Sequence, residues 1–148
     1  VMVGGVHIAV ALTAIAKTLG YRTIVVDPRR AFGSDERFPH VDRLIQAWPD
    51  KAFAEIQLDQ ATAVAMLTHD PKIDDPALKV VLNSKAFYIG ALGSSKTQKA
   101  RRERLAEAGF SNATIDRIYG PIGLNINAQT PEEIAVAVMA EIISARHK

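Results

Sequence analysis

Two stretches of this sequence have the residue types and spacing of an anion-binding turn. The first, Gly4-Gly5-Val6-His7, follows the apolar Val1-Met2-Val3 and precedes Ile8, Ala11, Leu12, Ile15 and Leu19 at helical spacing. A strand end, a glycine turn and a helix start aim backbone N–H groups and the helix dipole at one point. That point favours a phosphate or a carboxylate. The second, Gly93-Ser94-Ser95-Lys96-Thr97, follows the apolar run Phe87 to Ala91, which contains Gly90. It joins glycine, hydroxyls and a lysine, but it lacks the G-x-x-x-x-G-K-[ST] order of a Walker A loop.

Asp27 lies 23 positions after Gly4, at the end of the apolar run Thr23 to Val26. An acid there binds a ribose hydroxyl in a dinucleotide-binding unit. In the G-x-G-x-x-G/A register Gly4 is first and Ala9 is an allowed third, but Val6 fills the second place. Its isopropyl group stands where a pyrophosphate normally meets bare backbone. Arg29 and Arg30, after Pro28, are placed either to contact a phosphate or to project from a solvated loop. His7 and His69, with Asp70 beside the latter, have the types for acid–base work or metal ligation. No H-x-x-x-H spacing supports a metal, and no metal is expected. The plain reading gives His7 a carbonyl partner and makes His69-Asp70 a loop cap. No serine sits in a G-x-S-x-G elbow, so a hydrolase triad has no support.

The elements that must position these residues are legible from periodicity. Leu44 and Ile45 read as a short third strand, and Pro49 to Ile56 as a weak helix. Thr62 to Leu67 reads as a strand ending at Thr68-His69-Asp70-Pro71, where the proline discourages a continuing helix. Asp74 or Asp75 is placed to cap a helix with Pro76 in its first turn, running through Leu78, Val81 and Leu82. A basic helix from the second turn ends at Gly109, and Ala113 to Ile118 is a further short helix. Thr130-Pro131-Glu132-Glu133 opens the last helix with a capping box. Ala31 to His40 reads as an irregular connection anchored by Phe32 and Phe38. Strands alternating with helices predict a Rossmann-like, doubly wound α/β fold with a mainly parallel sheet. Gly4–His7, Asp27–Arg30, Thr68–Asp70 and Gly90–Lys96 then converge on one sheet edge.

At 148 residues the chain is one domain, and 48% hydrophobic with 23% charged residues is ordinary for a globular protein. Eighteen Lys and Arg against 16 Asp and Glu leave a net charge of only +2. The one dense basic run is Lys96 to Arg104, so a nucleic-acid partner is not expected. With no cysteine, disulfides and thiolate chemistry are excluded within the chain, which fits a cytoplasmic location. No apolar run is long enough to span a membrane. The sequence opens almost inside a strand, and a domain of a longer protein is the expectation.

Taken in order, several stretches resemble the C-terminal Rossmann-type domain of the xanthine dehydrogenase accessory (XdhC/CoxI) proteins. They are Gly4-Gly5-Val6-His7-Ile8-Ala9, Val26-Asp27-Pro28-Arg29, Arg37-Phe38-Pro39, Thr68-His69-Asp70, Tyr88 to Ser94, Arg101 with Arg104-Leu105, Pro121-Ile122-Gly123-Leu124, and Thr130 to Ala135. The family usually has glycine where Val6 stands and often where Asn127 stands. The resemblance implies a role in maturing molybdenum hydroxylases of the xanthine or carbon monoxide dehydrogenase type. It implies binding of the molybdopterin cofactor, in its dinucleotide form, with transfer to a client enzyme. Expected contacts are Gly4, Gly5, Val6, His7, Asp27, Arg29, His69, Asp70, Gly90, Gly93, Ser94 and Lys96, with no catalytic residue. Two alternatives are an NAD(P)-dependent oxidoreductase domain and a docking or homo-oligomerisation module with a vestigial pocket.

Overall fold

A computed structural model describes residues 1–30 and 36–148. Phe32, expected to anchor the loop after Arg30, lies outside the described residues. Six parallel strands form one sheet in the order β3-β2-β1-β4-β5-β6. In chain order they are β1 (Met2–Val3), β2 (Ile24–Val26), β3 (Arg43–Ile45), β4 (Ala63–Met66), β5 (Tyr88–Ala91) and β6 (Ile118–Tyr119). The helices are α1 (His7–Thr18), α2 (Pro49–Ala52), α3 (Pro71–Val81), α4 (Ser95–Glu107), α5 (Asn112–Ile115) and α6 (Pro131–Arg146). The doubly wound parallel architecture is the one expected. The strand order reverses between β1 and β4, and such a switch point opens a crevice at the strand ends.

Two apolar layers sandwich the sheet. On one face α1 and α6 pack together, and Ile8, Leu12, Val138, Met139 and Ile142 join Met2, Val25 and Phe38. On the other, Ile73, Leu78 and Val81 of α3 and Leu105 of α4 cover Val3, Val64 and Ile89. The central strands are buried on both sides, which is why their residues read as unbroken apolar runs.

Several boundaries differ from the sequence reading, each for a local reason. The helix after β4 starts at Asp70, not at Asp74 or Asp75. The Asp70 carboxylate accepts the Lys72 N–H at 3.0 Å, and Pro71 fills the first helical position, where its missing N–H costs nothing. Asp74 is therefore inside the helix and buried. The helix expected to reach Ile56 stops at Ala52. Ile118, expected to end a helix, instead opens the edge strand β6. The buried stripe of α1 is Ile8, Ala9, Leu12, Thr13 and Ala16, while Leu19 is exposed beyond the helix end. The start of α6 is the expected capping box, with Thr130 and Glu133 each satisfying the other's backbone N–H. Asn127 has φ +59, the left-handed conformation that asparagine tolerates.

Candidate functional site

Because the strands run parallel, Gly4, Asp27, Thr68 and Leu92-Gly93 all leave the sheet at the same edge. The two glycine turns follow β1 and β5, with β4 alone between them. Strand spacing puts them about 10 Å apart.

The first turn is held from behind through its own N–H groups. Gly4 donates to the Val26 carbonyl at 2.8 Å, and Gly5 donates to Asp27 Oδ2 at 2.7 Å. Gly4 adopts φ +110, and a Cβ there would come within 2.5 Å of Thr68 Cγ2. Glycine is thus required on two counts, backbone conformation and space. Val6 is the residue before α1, extended at φ −90 and ψ 174, and no side chain caps the helix. The N–H groups of the first turn of α1, at His7 and Ile8, are left for solvent or a ligand.

Asp27 has no solvent exposure, and four donors saturate it. Gly5 N–H is one; Arg29 supplies its backbone N–H at 2.9 Å, Nε at 2.9 Å and Nη2 at 2.8 Å. Burial opposes its charge, but the Arg29 and Gly5 hydrogen bonds prevail and hold the carboxyl below its usual value. The side-chain hydrogen bonds to Asp27 in turn raise the Arg29 guanidinium. Asp27 therefore fixes the first turn and Arg29, and its oxygens are already occupied. Arg29 keeps a third of its side chain exposed at the edge.

The second turn is held through its carbonyls instead. Gln98 Nε2 donates to the carbonyls of Ala91 and Gly93 at 3.0 and 3.2 Å, and Arg101 Nη2 donates to that of Leu92 at 3.2 Å. Gly93 adopts φ +132. Ser94 caps α4, its hydroxyl accepting the Thr97 N–H at 3.3 Å. Ser95 and Lys96 supply the other first-turn N–H groups, and the Lys96 side chain is exposed. Gly90 lies within β5, where the space its missing side chain leaves is taken by Ile122 and the Tyr88 hydroxyl.

Between the turns sits a buried polar group whose importance is not visible from spacing. Thr68 donates to Asp74 Oδ1 at 2.7 Å and accepts the Asp70 N–H at 3.1 Å. Arg101, almost fully buried, approaches Asp74 Oδ2 at 3.7 Å and donates to Gln98 Oε1 at 2.8 Å. Burial pushes the Asp74 carboxyl up to about 7, against the Thr68 hydrogen bond and the Arg101 charge. The basic helix is thereby largely committed: Arg101 faces Asp74, Arg102 pairs with Asp116 and Arg104 with Asp75. Lys96 and Lys99 remain exposed.

His7 and His69 are both exposed, and Asp70 is spent as the α3 cap. Among the described residues no group of three His, Asp or Glu is placed to hold a metal ion. His7 lines a hollow of about 330 Å³ with Val10, Phe38, His40 and Glu132. A similar hollow of about 340 Å³ lies at the opposite sheet edge, beside Ile24, Ala63 and Met139. None of the expected site residues lines that second one. Among the described residues no helix is long and apolar enough to cross a membrane.

Comparison with known proteins gives consistent results. A family model described as the XdhC Rossmann domain matches residues 1–142. A Bacillus subtilis protein named as a probable xanthine dehydrogenase subunit is 35% identical over 139 residues, covering 94% of this chain and 40% of that protein. The molybdenum cofactor insertion chaperone PaoD of Escherichia coli is 38% identical over 95 residues, covering 64% of this chain and 30% of that one. A crystal structure described as a xanthine dehydrogenase from Bacillus halodurans superimposes with a TM-score of 0.84 at 29% identity. It covers 99% of this chain and 41% of the other. The chain thus spans 30–41% of the length of these three proteins.

Proposed function

The chain belongs to the XdhC Rossmann domain family, and from that premise we propose that it is the cofactor-holding domain of a maturation protein for molybdenum hydroxylases. Its cargo on this reading is the molybdopterin cofactor, gripped by its phosphate portion at the strand-end edge and handed to a client of the xanthine dehydrogenase type. The observation that carries the reading is the pair of helix starts, α1 and α4, opening on one edge with only β4 between them. Two backbone anion sites about 10 Å apart suit a ligand with more than one phosphate. The dinucleotide form of the cofactor has that character.

Each expected residue then has a role. The His7 and Ile8 N–H groups bind one phosphate, with Val6 limiting how close it comes. Gly4 and Gly5 shape that turn, and Asp27 keeps it and Arg29 in place. Arg29 offers its exposed flank to negative charge. Gly93 and Ser94 shape the second turn, where the Ser95 and Lys96 N–H groups and the Lys96 ammonium take another phosphate. Gly90 supports this turn from within β5. His69 and Asp70 rim the crevice between the turns. The cofactor would supply the metal–dithiolene chemistry, and this chain supplies binding and orientation. The PaoD likeness supports the insertion role, and a reducing cytoplasm is the compartment that fits.

A ligand that binds only the folded state raises the melting temperature. Isolated molybdopterin cofactor and inorganic pyrophosphate should each raise it, the cofactor more, and Lys96→Ala should reduce both shifts. No shift with either compound would reject the proposal.

A further inference from the structure

Arg101 of α4 and Asp74 of α3 face each other between the Thr68 turn and the second glycine turn, their side chains 5% and 1% exposed. They are not a saturated pair. Arg101 spends its short bonds on the turn: Nη1 donates to Gln98 Oε1 at 2.8 Å and Nη2 to the Leu92 carbonyl at 3.2 Å. Gln98 Nε2 in turn holds the carbonyls of Ala91 and Gly93. The approach of Arg101 Nη2 to Asp74 Oδ2 is 3.7 Å, too long for a hydrogen bond. Asp74 Oδ1 is taken by the Thr68 hydroxyl, and among the described residues Asp74 Oδ2 and Arg101 Nε have no hydrogen-bond partner. The guanidinium is thus fastened to the turn, and the carboxylate only balances its charge.

A cation fixed behind Leu92-Gly93 draws an anion toward the N–H groups at Ser95 and Lys96, and buried charges are screened little by salt. An ionised Asp74 cancels that pull, whereas a protonated Asp74 leaves it whole. We propose that Arg101 is the positioning residue of the second turn and that Asp74 governs its charge, so that the turn takes its phosphate together with a proton on Asp74. This inference rests on the phosphate-holding role proposed above and names what regulates it. Burial places the Asp74 carboxyl at about 7, where a modest change in pH redistributes its proton. Around the pair stand Asp70 and Asp75, Arg104 of α4, and Arg29 from the loop after β2. Arg104 pairs with Asp75, Arg29 with Asp27, and Asp70 caps α3, leaving Asp74 as the acid that meets Arg101.

Linkage fixes the direction. An anion favours the protonated acid, so its affinity falls as pH rises through about 7, and the bound anion raises the Asp74 midpoint in return. Inorganic pyrophosphate is the probe, titrated at about pH 6 and about pH 8 into the parent chain and into Asp74→Asn, which keeps an oxygen for the Thr68 hydroxyl. The parent should match Asp74→Asn at the lower pH and bind roughly five- to tenfold more weakly at the higher one, the effect of a unit charge about 10 Å away at an effective dielectric of about 20. Protonation of pyrophosphate itself, and of the exposed His7 and His69, is common to both chains and cancels in the ratio. Without any variant, the Asp74 carboxyl carbon resonance should titrate about one pH unit higher when pyrophosphate saturates the chain. An affinity ratio that stays constant with pH, or an Asp74 midpoint unmoved by bound pyrophosphate, would overturn the inference and leave the phosphate site standing. Pyrophosphate bound by neither chain at either pH would instead sink the ligand reading, and this inference with it.

Discussion

The two glycine turns at the strand-end edge are built in opposite ways. The first is anchored through N–H groups, by the Val26 carbonyl and the Asp27 carboxylate. The second is anchored through carbonyls, by Gln98 and Arg101. The first leads into an uncapped helix behind the bulky Val6, the second into a Ser94-capped helix beside Lys96. Anchoring by carbonyls leaves backbone N–H groups free, and anchoring by N–H groups consumes them. On the proposed function the second turn would then be the more complete anion site, and the first would contribute mainly what lies just inside α1.

Substitutions at the two turns should separate these designs. Gly4→Ala should be the most damaging, since positive φ strain and the 2.5 Å approach to Thr68 act together. A loss of about 3–5 kcal/mol is expected in denaturant titrations. Gly93→Ala should cost somewhat less, because its Cβ would meet Thr97 Cγ2 and Cβ at 2.7 and 2.9 Å, looser than the approach at Gly4. Next comes Asp27→Ala, which strands the Gly5 N–H and Arg29. Roughly 2–4 kcal/mol is expected, below the full buried-pair cost because Arg29 is partly solvated.

Two buried carboxylates at this edge, Asp27 and Asp74, also titrate in opposite senses. Asp27, held below its ordinary value, contributes stability that is present above about 4 and is lost as pH falls through its folded pKa. Asp74, raised from 3.8 to about 7, binds its proton more tightly in the folded chain, so stability falls as pH climbs between those values. Asp74→Asn should flatten the unfolding free energy between pH 4 and 7. A profile as steep as that of the parent chain would show that Asp74 does not titrate there. At the second turn, Ser94→Ala should cost about 1 kcal/mol, the usual worth of a helix cap.

The sheet, both turns and the α6 capping box were legible because each rests on local signals: apolar runs, glycines at turns, and Thr130 three residues before Glu133. The role of Asp74 was not. A carboxylate ahead of Pro76 has the look of a cap, and nothing local says that Asp70 and Pro71 start the helix a turn earlier. Its partner Arg101 stands 27 positions later, inside a run that reads as a solvated basic face. Pairing across two helices is a tertiary fact, with no period to reveal it. β6 escaped notice for a similar reason, since two residues beside Gly120 carry too little pattern.

The smallest stability effect should come from Val6→Gly. Glycine is a better residue than valine ahead of a helix, which offsets its entropic cost. Free-domain melting should therefore change little while phosphate affinity at the first turn rises.

The claim that one ligand bridges both turns is tested most directly by backbone amide resonances during titration with isolated molybdopterin cofactor. Saturable shifts are expected at His7 and Ile8 together with Ser95 and Lys96, following one binding curve. Shifts confined to one turn, or absent from both, would contradict it.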